Sequence, residues 1–321
     1  VTVPLPTLSD VRGAAERLQG ITHRTPLIKL PLPGEVYAKA ENLQRTNSFK
    51  LRGAYAFLAS LSEAERARGV VAHSSGNHAQ GVACAARLLG VKATIVIPEG
   101  AAAIKVERTL AWGAEVVRCP NLDGERERVA QALSERHGYV LVPPFDHPHI
   151  IAGQGTVGLE IAAELADVAN VLVPVGGGGL MAGIALALEG LAPRAKLIGV
   201  EPVLAADAAA SFEKGTLERW ETELTSRTVA DGVRTQSLGE TAFALIRRHV
   251  ARFVTVREEA ILEATRFYLR EARLVVEPTG ALTLAAYRQL AEAGELAGKT
   301  VLVVSGGNIA PELACRLLTD A

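Results

Sequence analysis

Cysteine is scarce in this chain: Cys84, Cys119 and Cys315 stand in unrelated contexts with no CxxC spacing. An odd, unpaired set speaks against a disulfide framework and against a thiolate metal or redox centre, and leaves buried reduced thiols of a cytosolic protein as the plain reading. Net charge is lacking too. Thirty-four basic residues face 35 acidic ones, a balance of -1, so there is no basic footprint for nucleic acid and nothing to draw the chain to an anionic membrane. No run of 18 apolar residues occurs, and Val1 to Asp10 has no basic stretch followed by an apolar core. Neither a spanning helix nor a secretory leader is expected. Linkers rich in Ser, Pro and Gly, charge blocks and internal repeats are also missing. These absences point to a soluble, cytoplasmic protein whose partner is a small molecule.

What is present is enough apolar residue, 49% of 321, to bury a large core and to exceed the usual size of one domain. Short Val/Ile runs alternate with Ala/Leu stretches of helical period. The pattern predicts strands over 69–72, 93–98, 115–118, 139–142, 171–175, 196–200 and 300–304. Helices are predicted over 54–61, 79–89, 101–112, 156–165, 181–188 and 258–271. Alternation of this kind implies an α/β fold with mainly parallel, twisted sheets flanked by helices, and ligands at the carboxyl ends of the strands. Two domains are expected: a small mobile one over 69–146, and a large one from 1–68 plus 147–321. The seam falls at Pro143-Pro144, with a fresh helix beginning near Gly153.

The sharpest local signal is the strand Val171 to Val175, then Gly176, Gly177, Gly178 and Gly179, then an apolar helix from Leu180. Four residues without side chains let backbone N–H groups converge on one anion at the positive end of a helix, which makes a phosphate site. A tight turn alone would need one or two. Gly177-x-Gly179-x-x-Ala182, with Glu201 ending the next strand, also fits the dinucleotide fingerprint of a nicotinamide-dependent dehydrogenase.

Three constellations lie outside that nucleotide reading. The polar stretch Glu41 to Gly53 carries Phe49 and Lys50 toward a helix. Such a lysine is ordinarily solvated, and it becomes a nucleophile toward an aldehyde when burial lowers its pKa. The second, His73-Ser74-Ser75-Gly76-Asn77-His78, joins a strand to an Ala-rich helix. Its polar side chains either cap that helix or, with the first-turn N–H groups, form a pocket for a carboxylate. The third, Ser305-Gly306-Gly307-Asn308, follows the strand 300–304, near Glu277-Pro278-Thr279-Gly280, whose Glu277 reads as a helix-start acid.

These pieces in this order resemble the tryptophan-synthase-β-like, fold-type II family of pyridoxal-phosphate enzymes, specifically its threonine/serine dehydratase and serine racemase branch, over nearly the whole chain. The resemblance implies a two-domain fold of that type with pyridoxal 5'-phosphate between the domains. It implies that Lys50 holds the cofactor aldehyde as an imine and then takes the substrate's α-proton, with Phe49 packed on the ring. Asn77 would bond the ring hydroxyl, Gly176 to Gly179 and Leu180 the phosphate, and Ser305 the pyridine nitrogen. Ser74, Ser75, Gly76, Asn77 and His78 would bind the substrate carboxylate. Pro143 to Pro148 running into Ile151 to Thr156 resembles threonine dehydratases in particular, so the expected reaction converts L-threonine to 2-oxobutanoate and ammonia, with L-serine giving pyruvate.

Two features resemble serine racemases instead. Ser75 stands where those enzymes carry an acid/base on the ring face opposite the lysine, and Glu201, Ala205 and Asp207 resemble their site for Mg²⁺, Mn²⁺ or Ca²⁺. Phe145 departs from them, since they usually place Asn there. The family implies a homodimer or homotetramer. Because the chain ends at Ala321, soon after the Ser305 loop, no isoleucine feedback is expected, although isoleucine biosynthesis is the setting the dehydratase resemblance suggests.

Overall fold

The computed structural model describes residues 4–101 and 103–319. Among them ten strands form two sheets. The strands are β1 (Leu27–Lys29), β2 (Val36–Ala40), β3 (Val70–His73), β4 (Ala93–Pro98), β5 (Glu115–Cys119), β6 (Val140–Leu141), β7 (Asn170–Pro174), β8 (Lys196–Pro202), β9 (Arg252–Val256) and β10 (Thr300–Val304). The smaller sheet runs β5-β4-β3-β6 and is parallel throughout. The larger runs β1-β2-β10-β7-β8-β9, parallel except for the antiparallel β1–β2 pair. β7 and β10 are buried at every residue, as expected of parallel strands covered by helices on both faces.

The β-branched runs fall where the sequence predicts strands. Three strands were not predicted. β1 has three residues, β9 alternates at a half-buried edge, and β2 carries a lysine in its middle. That lysine, Lys39, is fully buried, so burial and ion pairing override an unpromising strand pattern.

The helix Pro148–Glu164 begins five residues before Gly153, where the sequence reading started it. Pro148 sits in its first turn, where the missing N–H costs nothing, and Gly153 is not a breaker. A Cβ on Gly153 would lie 2.6 Å from the Arg52 carbonyl, and one on Gly155 2.7 Å from the Gly183 carbonyl. These glycines let the helices Lys50–Ser60 and Gly179–Leu191 pack directly against the backbone of Pro148–Glu164.

The helix Lys50–Ser60 lends Leu51, Ala54 and Leu58 to the same apolar cluster as Val70, Ala72 and Ile95 of the smaller sheet. Its opposite attachment is ionic. Arg52, fully buried, grips Glu41 through two bonds of 2.8 Å and Glu160 at 2.6 and 2.9 Å, while Lys39 Nζ meets Glu160 at 2.6 Å. Two cations and two carboxylates thereby tie the start of this helix to β2, to the turn after it and to Pro148–Glu164.

Candidate active site

The segment that delivers Lys50 is stitched to the loop after β10. Asn47 adopts φ 53°, a left-handed conformation that asparagine tolerates, and its carbonyl accepts the Gly307 N–H at 2.9 Å. Ser48 bridges Gly306, and the Phe49 N–H donates to the Ser305 carbonyl at 3.1 Å. Lys50 and Ser305 consequently line one cavity, whose other walls include Phe49, Pro144, Phe145, Gly176 to Leu180 and Thr235. Lys50 is the only charged residue among the described residues of that lining. Its Nζ donates to the Pro144 carbonyl at 2.8 Å and lies 5.3 Å from the centre of the Phe49 ring. Burial draws its pKa down from 10.5 to about 8, so a usable fraction is the neutral amine near pH 8.

The glycine loop follows β7. Gly178, with φ 88°, is the N-cap of the helix Gly179–Leu191, and no side chain caps that end, so first-turn N–H groups remain for an anion. Part of the glycine requirement has another cause. A Cβ on Gly177 would overlap the Phe145 ring, and one on Gly179 would lie 2.7 Å from the Phe145 carbonyl. The residue that departs from the racemase pattern is therefore packed onto the loop itself. Ser305 Oγ and Thr235 Oγ1 line the cavity, are buried, and have no hydrogen-bond partner in the protein. Buried hydroxyls left so are costly, and a polar ligand spanning from Ser305 to the glycine loop answers both. A desolvated lysine, an anion-ready helix start and these two hydroxyls suit pyridoxal phosphate.

The loop Ser74 to His78 follows β3. Gly76 is the N-cap of the helix Asn77–Leu89 and no side chain caps it, so these residues do not serve merely as caps. Ser74 Oγ accepts the Gly76 N–H at 3.2 Å, which leaves Ser75 half-buried beside it. His78 corrects the expectation for its side chain: the ring is buried against the Val142 carbonyl at 3.3 Å. Burial and then the Lys50 charge push its pKa down to about 3, so the imidazole is neutral and this residue has its backbone N–H to offer. Asn77 turns its amide to Glu277 and Asn308, at 2.6 and 2.7 Å.

Glu201 and Asp207 lie away from that cavity, Glu201 near the end of β8 and Asp207 at the start of the helix Asp207–Lys214 that follows. Glu201 accepts the N–H groups of Ala208 and Ala209 at 3.1 and 2.6 Å, an arrangement that spends the carboxylate on a helix start and counts against the ribose-binding acid of a dehydrogenase. Both Asp207 oxygens are buried without a partner. Burial raises the pKa of both, Asp207 to about 7, and the Asp207 charge adds to the rise at Glu201. Among the described residues no group of three or more His, Cys, Asp or Glu is placed to hold a metal. The expected cation site thus rests on this carboxylate pair and the Ala205 carbonyl alone. Nor, among the described residues, is any helix long and apolar enough to cross a membrane.

Sequence reasoning missed Thr235, and it marked Pro144 and Phe145 as parts of a motif without foreseeing their contacts with Lys50 and the glycine loop. It also read Glu277 as an ordinary helix-start acid, yet that side chain makes no capping bond and is buried at 4% exposure.

A family profile described as pyridoxal-phosphate dependent enzyme matches residues 18–307. An L-threo-3-hydroxyaspartate ammonia-lyase of Pseudomonas sp is 43% identical over 98% of this chain and 99% of its own. A serine racemase of Schizosaccharomyces pombe is 39% identical over 98% of both. The crystal structure of a T.th. threonine deaminase superposes with a TM-score of 0.89, at 47% identity, covering 95% of this chain and 99% of that one. The chain belongs to the pyridoxal-phosphate dependent enzymes of the tryptophan-synthase-β-like fold, among their ammonia-lyases.

Proposed function

We propose that the protein is a dehydratase of small β-hydroxy amino acids, converting L-threonine to 2-oxobutanoate and ammonia, and L-serine to pyruvate and ammonia. The observation that carries this is the cavity in which Lys50, desolvated and half-buried, is the single charge among the described lining residues. A wall of that kind suits a substrate whose β-carbon bears hydrogen or methyl beside its hydroxyl. Gly176 to Gly179, Leu180 and Thr235 would hold the cofactor phosphate, Ser305 its pyridine nitrogen, and Phe49 its ring. When bound, pyridoxal phosphate supplies the electron sink that acidifies the substrate's Cα–H. Lys50 Nζ, which lines the same cavity with its pKa lowered by burial, would take that proton as the general base. The uncapped start of the helix Asn77–Leu89, with Ser74 and Ser75, would bind and orient the α-carboxylate. Phe145, packed on the glycine loop, keeps water from that end of the cavity.

Arg108 favours a second reading, an acidic substrate such as threo-3-hydroxyaspartate. Its Nη1 reaches Asn308 Oδ1 at 2.8 Å, one hydrogen bond from Asn77, so a guanidinium stands near the proposed carboxylate pocket. Ser75 keeps racemisation in play. Specificity constants for L-threonine, L-serine and L-threo-3-hydroxyaspartate, measured by 2-oxo acid release together with chiral analysis of serine, test these readings. Threonine and serine should lead by at least about tenfold, a difference within what one buried polar group confers. A lead by hydroxyaspartate would overturn the neutral-substrate reading, and D-serine forming faster than pyruvate would make the enzyme a racemase first.

Glu201, Asp207 and the Ala205 carbonyl would hold a divalent cation. Both carboxyls have folded pKa values above their unfolded ones, so the stability they contribute is present at low pH and is lost as the pH rises, for Asp207 through about 7. A cation relieves that loss. Saturating Mg²⁺ or Ca²⁺ should raise the melting temperature at pH 8 by about 3–5 °C, and by much less at pH 5.5. An equal gain in Asp207→Asn, or none in the wild type, removes the cation from this site.

A further inference from the structure

The carboxamide of Asn77 is held at both ends. Its Nδ2 donates to Glu277 Oε1 at 2.6 Å, and its Oδ1 accepts from Asn308 Nδ2 at 2.7 Å. Asn308 is itself committed: Nδ2 also donates to the Thr46 carbonyl at 2.9 Å, while Oδ1 accepts from Arg108 at 2.8 Å and from Asn47 at 3.4 Å. Room for this arrangement depends on Gly306, where a Cβ would overlap Glu277 Oε1 and lie 3.1 Å from Asn77 Nδ2. Gly306 adjoins Ser305 on the cavity wall, so the clamp is built against the site.

The chemistry of the partners fixes which way the amide faces. An ionised carboxylate accepts and cannot donate, so the atom turned to Glu277 is the nitrogen. One of the two Nδ2 hydrogens is thereby used and the other is left.

We propose that Glu277 is a positioning residue for the cofactor ring: with Asn308 it locks the Asn77 carboxamide so that the remaining N–H is presented to the ring hydroxyl oxygen. This inference rests on the reading that pyridoxal phosphate binds in this cavity. Glu277 is buried among few charges. Burial first, and then Asp231, raise its pKa to about 7, against the bond from Asn77, the charge of Lys105 and the Asn308 N–H. Lys105 and Asp231 pair with each other at 2.5 Å. The clamp is therefore acceptor-only above neutrality and gains a proton below it.

The test is a double-mutant cycle on cofactor affinity, with the position of the visible band of the bound cofactor followed from pH 6 to 9. Glu277→Ala should weaken pyridoxal phosphate binding about tenfold, the scale of one charged hydrogen bond, and shift the band. In an Asn77→Ala background the same change should add less than about twofold, because its partner is already gone. Glu277→Gln can still accept from Asn77 through its carbonyl, so it should bind within about threefold of wild type while losing the pH dependence of the band near 7. Should Glu277→Ala fail to fold, Asn308→Ala opens the other end of the clamp, and its cycle with Asn77→Ala decides. Additive losses in the cycle, or single variants with wild-type affinity and band, overturn the inference while leaving the cofactor reading intact. A wild-type protein that takes up no pyridoxal phosphate overturns both.

Discussion

Lys50→Ala should release no measurable 2-oxo acid from threonine or serine. Removing a general base alone costs about 10²–10⁴-fold, and this substitution also removes the amine that would anchor the cofactor. The wild-type protein supplies the complementary observation. With Lys50 drawn to about pH 8 by burial, its neutral, nucleophilic fraction grows as the pH rises toward 8 and levels off above it. The rate of pyridoxal phosphate uptake by the cofactor-free protein should follow that curve, and borohydride should then trap the cofactor on a peptide containing Lys50. In Lys50→Ala no adduct should form at any pH. An alanine variant that retained deaminase activity, or an adduct mapped to another lysine, would refute the assignment.

The second large effect concerns stability. Arg52→Ala should lower the free energy of unfolding by about 3–5 kcal/mol, the usual cost of leaving buried charge uncompensated. Without Arg52 two carboxylates remain against Lys39 alone, and Glu41 has no exposure through which to recover solvation. Burial by itself would push the Glu41 carboxyl up, and the Arg52 charge and bonds, with Lys39 and Thr25, overcome this and hold it below 4.5. That contribution is present above pH 4.5 and is lost as the pH falls through the depressed value. Arg52→Lys should fall between, since an ammonium cannot reproduce the paired bonds to Glu41. Denaturant melts placing Arg52→Ala within about 1 kcal/mol of wild type would mean that the cluster is structurally dispensable.

Much of the architecture was legible because parallel strands covered on both faces must be continuous apolar runs, and β4, β7, β8 and β10 are. β2 was not, since Lys39 becomes an interior residue through Glu160, 121 positions away. The helix start at Pro148 was misread for a similar reason: whether Gly153 breaks a helix or seats one depends on Arg52, which is remote in sequence and adjacent in space. In the site, the glycine loop could be picked out from its own pattern between a strand and a helix, whereas Lys50 and Ser305 stood out only through the order of motifs that carries the family resemblance. Glu277 and Phe145 could not, because their roles consist of contacts with Asn77 and Gly177 and nothing in their neighbours announces those contacts.

The position of β10 bears on the order in which the molecule is made. It is the last strand among the described residues, yet it lies between β2 and β7 in the middle of the larger sheet. While the chain emerges from the ribosome, β2 and β7 have no common neighbour, and the turn that carries Lys50 has no Gly306 or Gly307 to fasten to. The smaller sheet, complete by residue 141, is free to form long before that. Cofactor capture thus has to wait for β10, and the long-range pairing it awaits makes folding of the larger sheet the slow step.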